Sequence, residues 1–245
     1  MDNLEIYPDI DQLSWRAAQL FVQLARQSVE KKGRFCVALS GGSTPLLTYT
    51  LLARQPLADQ VKWNGVHLFW GDERCVPPDH PMSNYGQVER ALIRHVNIPS
   101  ENIHRMHGEL APIDSARHYE MEIRRFFGTG GQQPPALDLF LLGLGEDGHT
   151  ASLFPGSPAL EEQDRWVLAV RRPEDGSWRL TMTFPLLNAA NTVVFLVSGD
   201  KKATILRRAL QSQHKTDVLL PVQKVLPATG RLIWMTDASS AAVLR

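Results

Sequence analysis

The chain has 245 residues, 43% hydrophobic and 21% charged, enough for one large α/β domain or two small ones. Lys plus Arg and Asp plus Glu both number 26, which leaves no overall basic field to hold nucleic acid or an anionic membrane, so any anion must be bound locally. MDNLEIYPDI carries acids rather than a basic leader, no apolar run reaches the roughly 18 residues of a membrane span, and Cys36 and Cys75, in strand-like runs, make no disulfide scaffold; a cytoplasmic protein is expected.

In chain order, LSWRAAQLFVQLARQSVEKK (13–32) repeats apolar residues at helical spacing, and RFCVAL (34–39) follows as a buried strand. VHLFW (66–70) predicts the next strand; NYGQVERALIRHV (84–96) and SARHYEMEIRRFF (115–127) predict helices. GTGGQQPPA (128–136) reads as a loop rather than a domain boundary, leading into the strand LDLFLLG (137–143). Within 165–184, WVLAV and WRLTMTF flank the polar turn RRPEDGS and predict a hairpin or small antiparallel flap. TVVFLV (192–197), the amphipathic KKATILRRAL (201–210) and RLIWM (231–235) complete the alternation. This order predicts an α/β fold spanning 1–245 as a single domain: a doubly wound, mostly parallel sheet flanked by helices, with the small antiparallel flap beside it.

In open α/β sheets ligands bind beyond the carboxyl ends of the strands, so the strand exits are where chemistry is sought. SGGSTP (40–45) offers close backbone approach at Gly41 and Gly42, hydroxyls at Ser43 and Thr44, and Pro45 for a first helical turn: a cradle for phosphate, or simply a capped turn. GDERCVPPDHPMSNY (71–85) places Asp72, Glu73 and Arg74 at the second exit, to polarise a substrate or to form a surface ion network.

GLGEDGHTASLFPGS (143–157) puts His149 beside Asp147 on a loop with glycines at 143, 145 and 148. A histidine oriented by an acid suits a general base, whereas a surface or capping role is the plainer reading; the glycines and the preceding buried strand favour a site. VSGDKKAT (197–204) supplies Lys201 and Lys202 where a helix begins, an arrangement that opposes the helix dipole unless an anion lies between. HRMH (104–107) lacks nearby carboxylate or cysteine ligands in sequence, and no metal site is expected there.

SGGSTP, GDERCVPPDHPMSNY, DLFLLGLGEDGHTASLFPGS, RLTMTFPLLNAA, VSGDKKA and LPVQKVLPATGRLIWMTD occur in this order over residues 40–237, and together they resemble the 6-phosphogluconolactonase family. The resemblance implies hydrolysis of 6-phospho-D-glucono-1,5-lactone to 6-phosphogluconate in the oxidative pentose phosphate pathway, without metal or organic cofactor. It also implies a Rossmann-like fold similar to that of glucosamine-6-phosphate deaminase. Carried over by motif, Gly41, Gly42, Ser43 and Thr44 form the phosphate loop, Arg179 and Lys202 the phosphate-facing cations, and His149 the general base. Asp72, Arg74, Asn84 and Asp147 match polar positions lining the site. Lys201 stands where some relatives have a small residue, so either lysine can be the one that reaches phosphate.

That chemistry suits the residues themselves. Lactone opening needs a water nucleophile, stabilisation of an oxyanion and protonation of the departing ring oxygen. One histidine serves both proton transfers, Arg74 or loop N–H groups serve the oxyanion, and the phosphate loop supplies remote binding energy. A deaminase or isomerase of the same fold carries an acid five residues after its histidine, where this chain has Phe154. A sugar-phosphate-sensing effector domain would need no His149 and would bring a helix-turn-helix, for which the 33 residues before the first strand are few. The expected partner is a small sugar-phosphate lactone, with no nucleic acid and no membrane.

Overall fold

Asp9 starts the first long helix by accepting a hydrogen bond from the Gln12 N–H at 2.8 Å, and Gly33, at φ 77°, ends it in a left-handed cap. Between them α1 (Ile10–Lys32) follows a short strand, β1 (Leu4–Tyr7), in a computed structural model that describes residues 3–128, 133–211 and 219–244. The middle of GTGGQQPPA lies outside those residues.

The chain continues through β2 (Phe35–Leu39), α2 (Ser43–Leu52), β3 (Val66–Trp70), β4 (Asp72–Arg74), α3 (Asn84–Ala91), α4 (Pro112–Phe127) and β5 (Leu139–Leu142). It ends with β6 (Val167–Arg171), β7 (Trp178–Met182), α5 (Phe184–Asn188), β8 (Thr192–Val197), α6 (Ala203–Leu210) and β9 (Arg231–Asp237). Six strands form one sheet in the order β1-β9-β8-β5-β2-β3, every neighbouring pair parallel. All residues of β2, β5 and β8 are buried, which is why they read as unbroken apolar runs rather than alternating ones.

From β2 the chain moves outward to β3, then returns across β2 to β5 and continues the other way to β8 and β9. The reversal falls between β2 and β5, the switch point at which open α/β sheets leave a crevice. The loops leaving those two strands are SGGSTP and GLGEDGHT.

The expected flap is present as β6 and β7, but a third strand joins it in the order β4-β7-β6. Gly71 couples the two sheets: its N–H donates to Leu39 O at 2.9 Å and its carbonyl accepts from Met182 N–H at 2.8 Å. Predicted helices shift at their ends. The stretch 84–96 is helical only to Ala91, then turns at 93–95 where the His95 ring bonds Arg90 O at 3.0 Å. Pro112 in the first turn lengthens α4 towards its start. The first two residues of the expected 201–210 belong to a tight turn, Asp200–Lys202, ahead of α6. No helix among the described residues is long and apolar enough to cross a membrane.

On the edge strand β3, His67 and His104 share a hydrogen bond of 3.2 Å, and His104 contacts Glu122 at 2.8 Å. Burial, then the neighbouring His104 and Arg34 charges, hold the His67 imidazole neutral down to about pH 4. An unfolded histidine protonates near 6.5, so between those values the unfolded chain binds a proton that the folded one refuses. His67 therefore favours folding fully above about pH 6.5, and this contribution is lost as pH falls to about 4. Urea midpoints measured across that window should fall for the parent and fall less for His67→Gln; parallel curves would contradict this.

Candidate active site

Gly42, at φ 105°, turns the chain from β2 into α2, and no side chain caps that helix. The first bonded amide is Leu46, donating to Gly42 O at 3.1 Å. The N–H groups of Ser43 and Thr44 thus have no intrahelical acceptor, Pro45 has no N–H at all, and the positive end of a ten-residue helix faces the crevice. The Thr44 and Ser198 hydroxyls hydrogen-bond at 2.7 Å, tying this loop to the exit of β8. Beneath the loop, a Cβ on Gly41 would fall 1.9 Å from Asn84 Oδ1. That amide cannot easily yield: Asn84 is buried, and its Nδ2 donates to the Asp72 carbonyl at 2.9 Å and to Asp72 Oδ1 at 3.1 Å.

The alternation of strand side chains separates the acids of β4. Glu73 turns away from the crevice to the start of α3, where its carboxylate accepts from the Asn84 and Tyr85 N–H groups, both at 2.7 Å, and from Ser83 Oγ at 3.1 Å. Burial raises its pKa, and the backbone donors only partly offset this. Asp72 instead lines the crevice, its Oδ2 accepting from Ser152 Oγ at 2.8 Å.

Arg74 lies directly opposite Arg179 in the β4–β7 register. Like charges so placed repel, and among the described residues neither has a carboxylate within ion-pair distance. Burial, followed by the Arg74 charge, lowers the pKa of Arg179. Arg74 donates to Met82 O at 2.6 Å and Arg179 to Trp178 O at 3.1 Å, which orients both guanidiniums without neutralising them. An anion between them would relieve the repulsion.

After β5, Gly145 N–H donates to His149 O at 2.8 Å, closing the loop that carries the histidine. Asp147 Oδ1 accepts from the His149 backbone N–H at 3.0 Å and lies 2.5 Å from Nδ1. Partial burial pushes the Asp147 carboxyl up, but the hydrogen bonds from His149 outweigh it and hold the pKa below the ordinary value. An ionised Asp147 fixes the imidazole proton on Nδ1 and leaves the Nε2 lone pair free. Phe154 packs on the imidazole, ring centroids 4.9 Å apart. Ala151, at φ 48°, adopts a left-handed conformation costly for a residue with a side chain. It turns the chain so that Ser152 reaches both Asp72 and Thr181, whose Oγ1 accepts from Ser152 N–H at 3.2 Å.

One cavity of about 610 Å³ is lined by Gly41, Gly42, Ser43, Thr44, Asp72, Arg74, Asn84, Asp147, His149, Arg179 and Lys202, whereas Glu73, also expected at a strand exit, does not line it. Lys202 faces it, 4.0 Å from Glu146, whereas Lys201 is exposed outside it. Sequence reasoning missed Ser152, Arg172 and Glu174, which also line the cavity. The first lay within a quoted motif, but nothing local signals that its hydroxyl meets Asp72.

Fold and cavity define an α/β protein with an uncapped helix N-terminus, two opposed arginines and an acid–histidine pair at the switch point of its sheet. Residues 8–234 match the family described as glucosamine-6-phosphate isomerases/6-phosphogluconolactonase, and the chain belongs to that family. It is 40% identical over 242 residues to a 6-phosphogluconolactonase of Nostoc sp., covering 98% of each chain. A solved 6-phosphogluconolactonase from Trypanosoma cruzi superposes with a TM-score of 0.86 at 28% identity, covering 99% of this chain and 96% of that one. A monomeric glucosamine-6-phosphate deaminase shares the fold, with a TM-score of 0.80 at 19% identity over 98% of this chain and 99% of that one.

Proposed function

We propose that the chain hydrolyses 6-phospho-D-glucono-1,5-lactone to 6-phospho-D-gluconate, the lactonase reaction of the oxidative pentose phosphate pathway, with His149 as general base. The observation that carries this reading is the opening of an acid-oriented imidazole and an uncapped helix N-terminus onto one cavity. Nε2 of His149 takes a proton from water as it attacks the lactone carbonyl, and returns it to the ring oxygen as the C–O bond breaks. Arg74 or the loop N–H groups stabilise the oxyanion. The N–H groups of Ser43 and Thr44, with Arg179 and Lys202, hold the phosphate and fix the ring beside the base. Asp72, oriented by Asn84 and Ser152, accepts hydrogen bonds from ring hydroxyls.

Deaminase chemistry fits less well. Phe154 sets an apolar ring against the imidazole at the position where that reaction places an acid. The deciding assay uses freshly generated lactone: hydrolysis above the uncatalysed rate, linear in protein concentration, supports the reading, and turnover of glucosamine 6-phosphate in its place would overturn it.

Arg179→Ala or Lys202→Ala should chiefly raise KM, because a lost contact to a remote group weakens ground and transition states alike. Each is a charge-assisted contact of roughly 1.5–3 kcal/mol, or about 10- to 150-fold in KM. Unchanged kinetics in both variants would remove phosphate from this end of the cavity.

A further inference from the structure

The turn between β6 and β7 brings a third arginine to the cavity. Arg172 and Glu174 both line it, while the neighbouring Arg171 stacks over Trp178 at 4.5 Å. The turn is tightly built: Arg172 N–H donates to Ser177 O and Gly176 N–H to Arg172 O, both at 2.9 Å, with Gly176 at φ 68°. Within it, Arg172 Nε lies 2.5 Å from Glu174 Oε2, and its Nη1 lies 3.7 Å from Asp175. Asp175 is anchored separately by the Ser177 N–H and hydroxyl, whereas Glu174 has Arg172 as its only hydrogen-bonding partner among the described residues.

Three guanidiniums therefore belong to one cavity, and of these only Arg172 has carboxylate partners among the described residues. Its charge reaches Arg179, adding to the repulsion from Arg74. Glu174 is largely exposed, so its hold on Arg172 is weak and readily exchanged. A phosphate carries up to two charges and three terminal oxygens, more than a carboxylate offers a planar fork of donors.

We propose that Arg172 is a further specificity-determining cation of this site, held by Glu174 while the cavity is empty and transferred to the phosphate of the substrate when it binds. Glu174 is thus an internal competitor for the phosphate. The identity of the anion rests on the lactonase reading above; the exchange itself does not.

The two residues predict effects of opposite sign. Arg172→Ala should weaken calorimetric binding of 6-phosphogluconate about tenfold and reduce its preference over unphosphorylated gluconate by a similar factor. Glu174→Gln, which frees the guanidinium, should tighten 6-phosphogluconate binding roughly two- to fivefold. Equal losses for both ligands in Arg172→Ala, no loss at all, or weaker binding in Glu174→Gln would overturn the proposal. Should the parent fail to turn over the lactone, the functional reading falls, and binding of inorganic phosphate to the parent and both variants still decides the role of Arg172.

Discussion

His149→Asn is expected to lower kcat on the phosphorylated lactone by roughly 10²- to 10⁴-fold, the usual contribution of a positioned general base. Asparagine keeps a backbone donor to Asp147 and forfeits the basic Nε2, so the loop stays closed while the proton acceptor disappears. The imidazole is only part-buried, with one ring neighbour in Phe154, so the loss of stability should be on the order of 1 kcal/mol or less. KM should move little, since the residues proposed to hold the phosphate are untouched. Acidification should lower kcat in the parent, because only the unprotonated ring accepts a proton from water, and the variant should lack that dependence. A folded His149→Asn protein with near-parent kcat would leave the cavity without its base and the reaction without this mechanism.

The residues of that experiment could be found in the sequence because a strand exit is a local feature. LDLFLLG is apolar enough to be a buried strand, and a glycine-rich loop after such a strand has one place to go, the crevice at the carboxyl end of the sheet. Other features depend on partners distant in sequence. DER at 72–74 carries no strand signal, since three charged residues neither alternate nor suit burial; β4 exists because Gly71 passes the chain to β7. The opposition of Arg74 to Arg179, and with it the charge pattern of the proposed anion site, followed from that pairing and was not legible. Glu73 looked like a site residue beside Asp72, yet its carboxylate closes a helix start that lies beyond a proline-rich loop. STPLLTYTLL lacks an apolar stripe and did not announce α2 as a full helix, although Pro45 marked its beginning. LEIY, a short strand at the sheet edge, carried too little hydrophobic signal to be read. Which of Lys201 and Lys202 lines the cavity is set by a tight turn, where one residue changes the direction a side chain faces.

Gly145→Ala is expected to approach the histidine replacement in its effect on kcat, a loss of roughly 10²-fold or more, without removing a catalytic group. A methyl on Gly145 would lie 2.1 Å from His149 Nδ1, 2.3 Å from His149 Cε1 and 2.7 Å from Asp147 Oδ1. All three are closer than any real contact, and they fall on both members of the acid–histidine pair at once. The backbone is not the obstacle: Gly145 is absent from the left-handed glycines, in contrast to Gly148 at φ 87°, so alanine can adopt its conformation. The strain is therefore relieved by moving the ring and the carboxylate, which are part-exposed and can swing towards the cavity. Folding should survive, with a melting temperature a few degrees below the parent at most, while the base leaves the position from which it reaches water. Residues acting as one unit do not add, so Gly145→Ala introduced into His149→Asn should cost little beyond the single histidine change. If the two losses multiply instead, Gly145 acts on something other than the pair, and the requirement for glycine at that position would have to be sought in the substrate rather than in the imidazole.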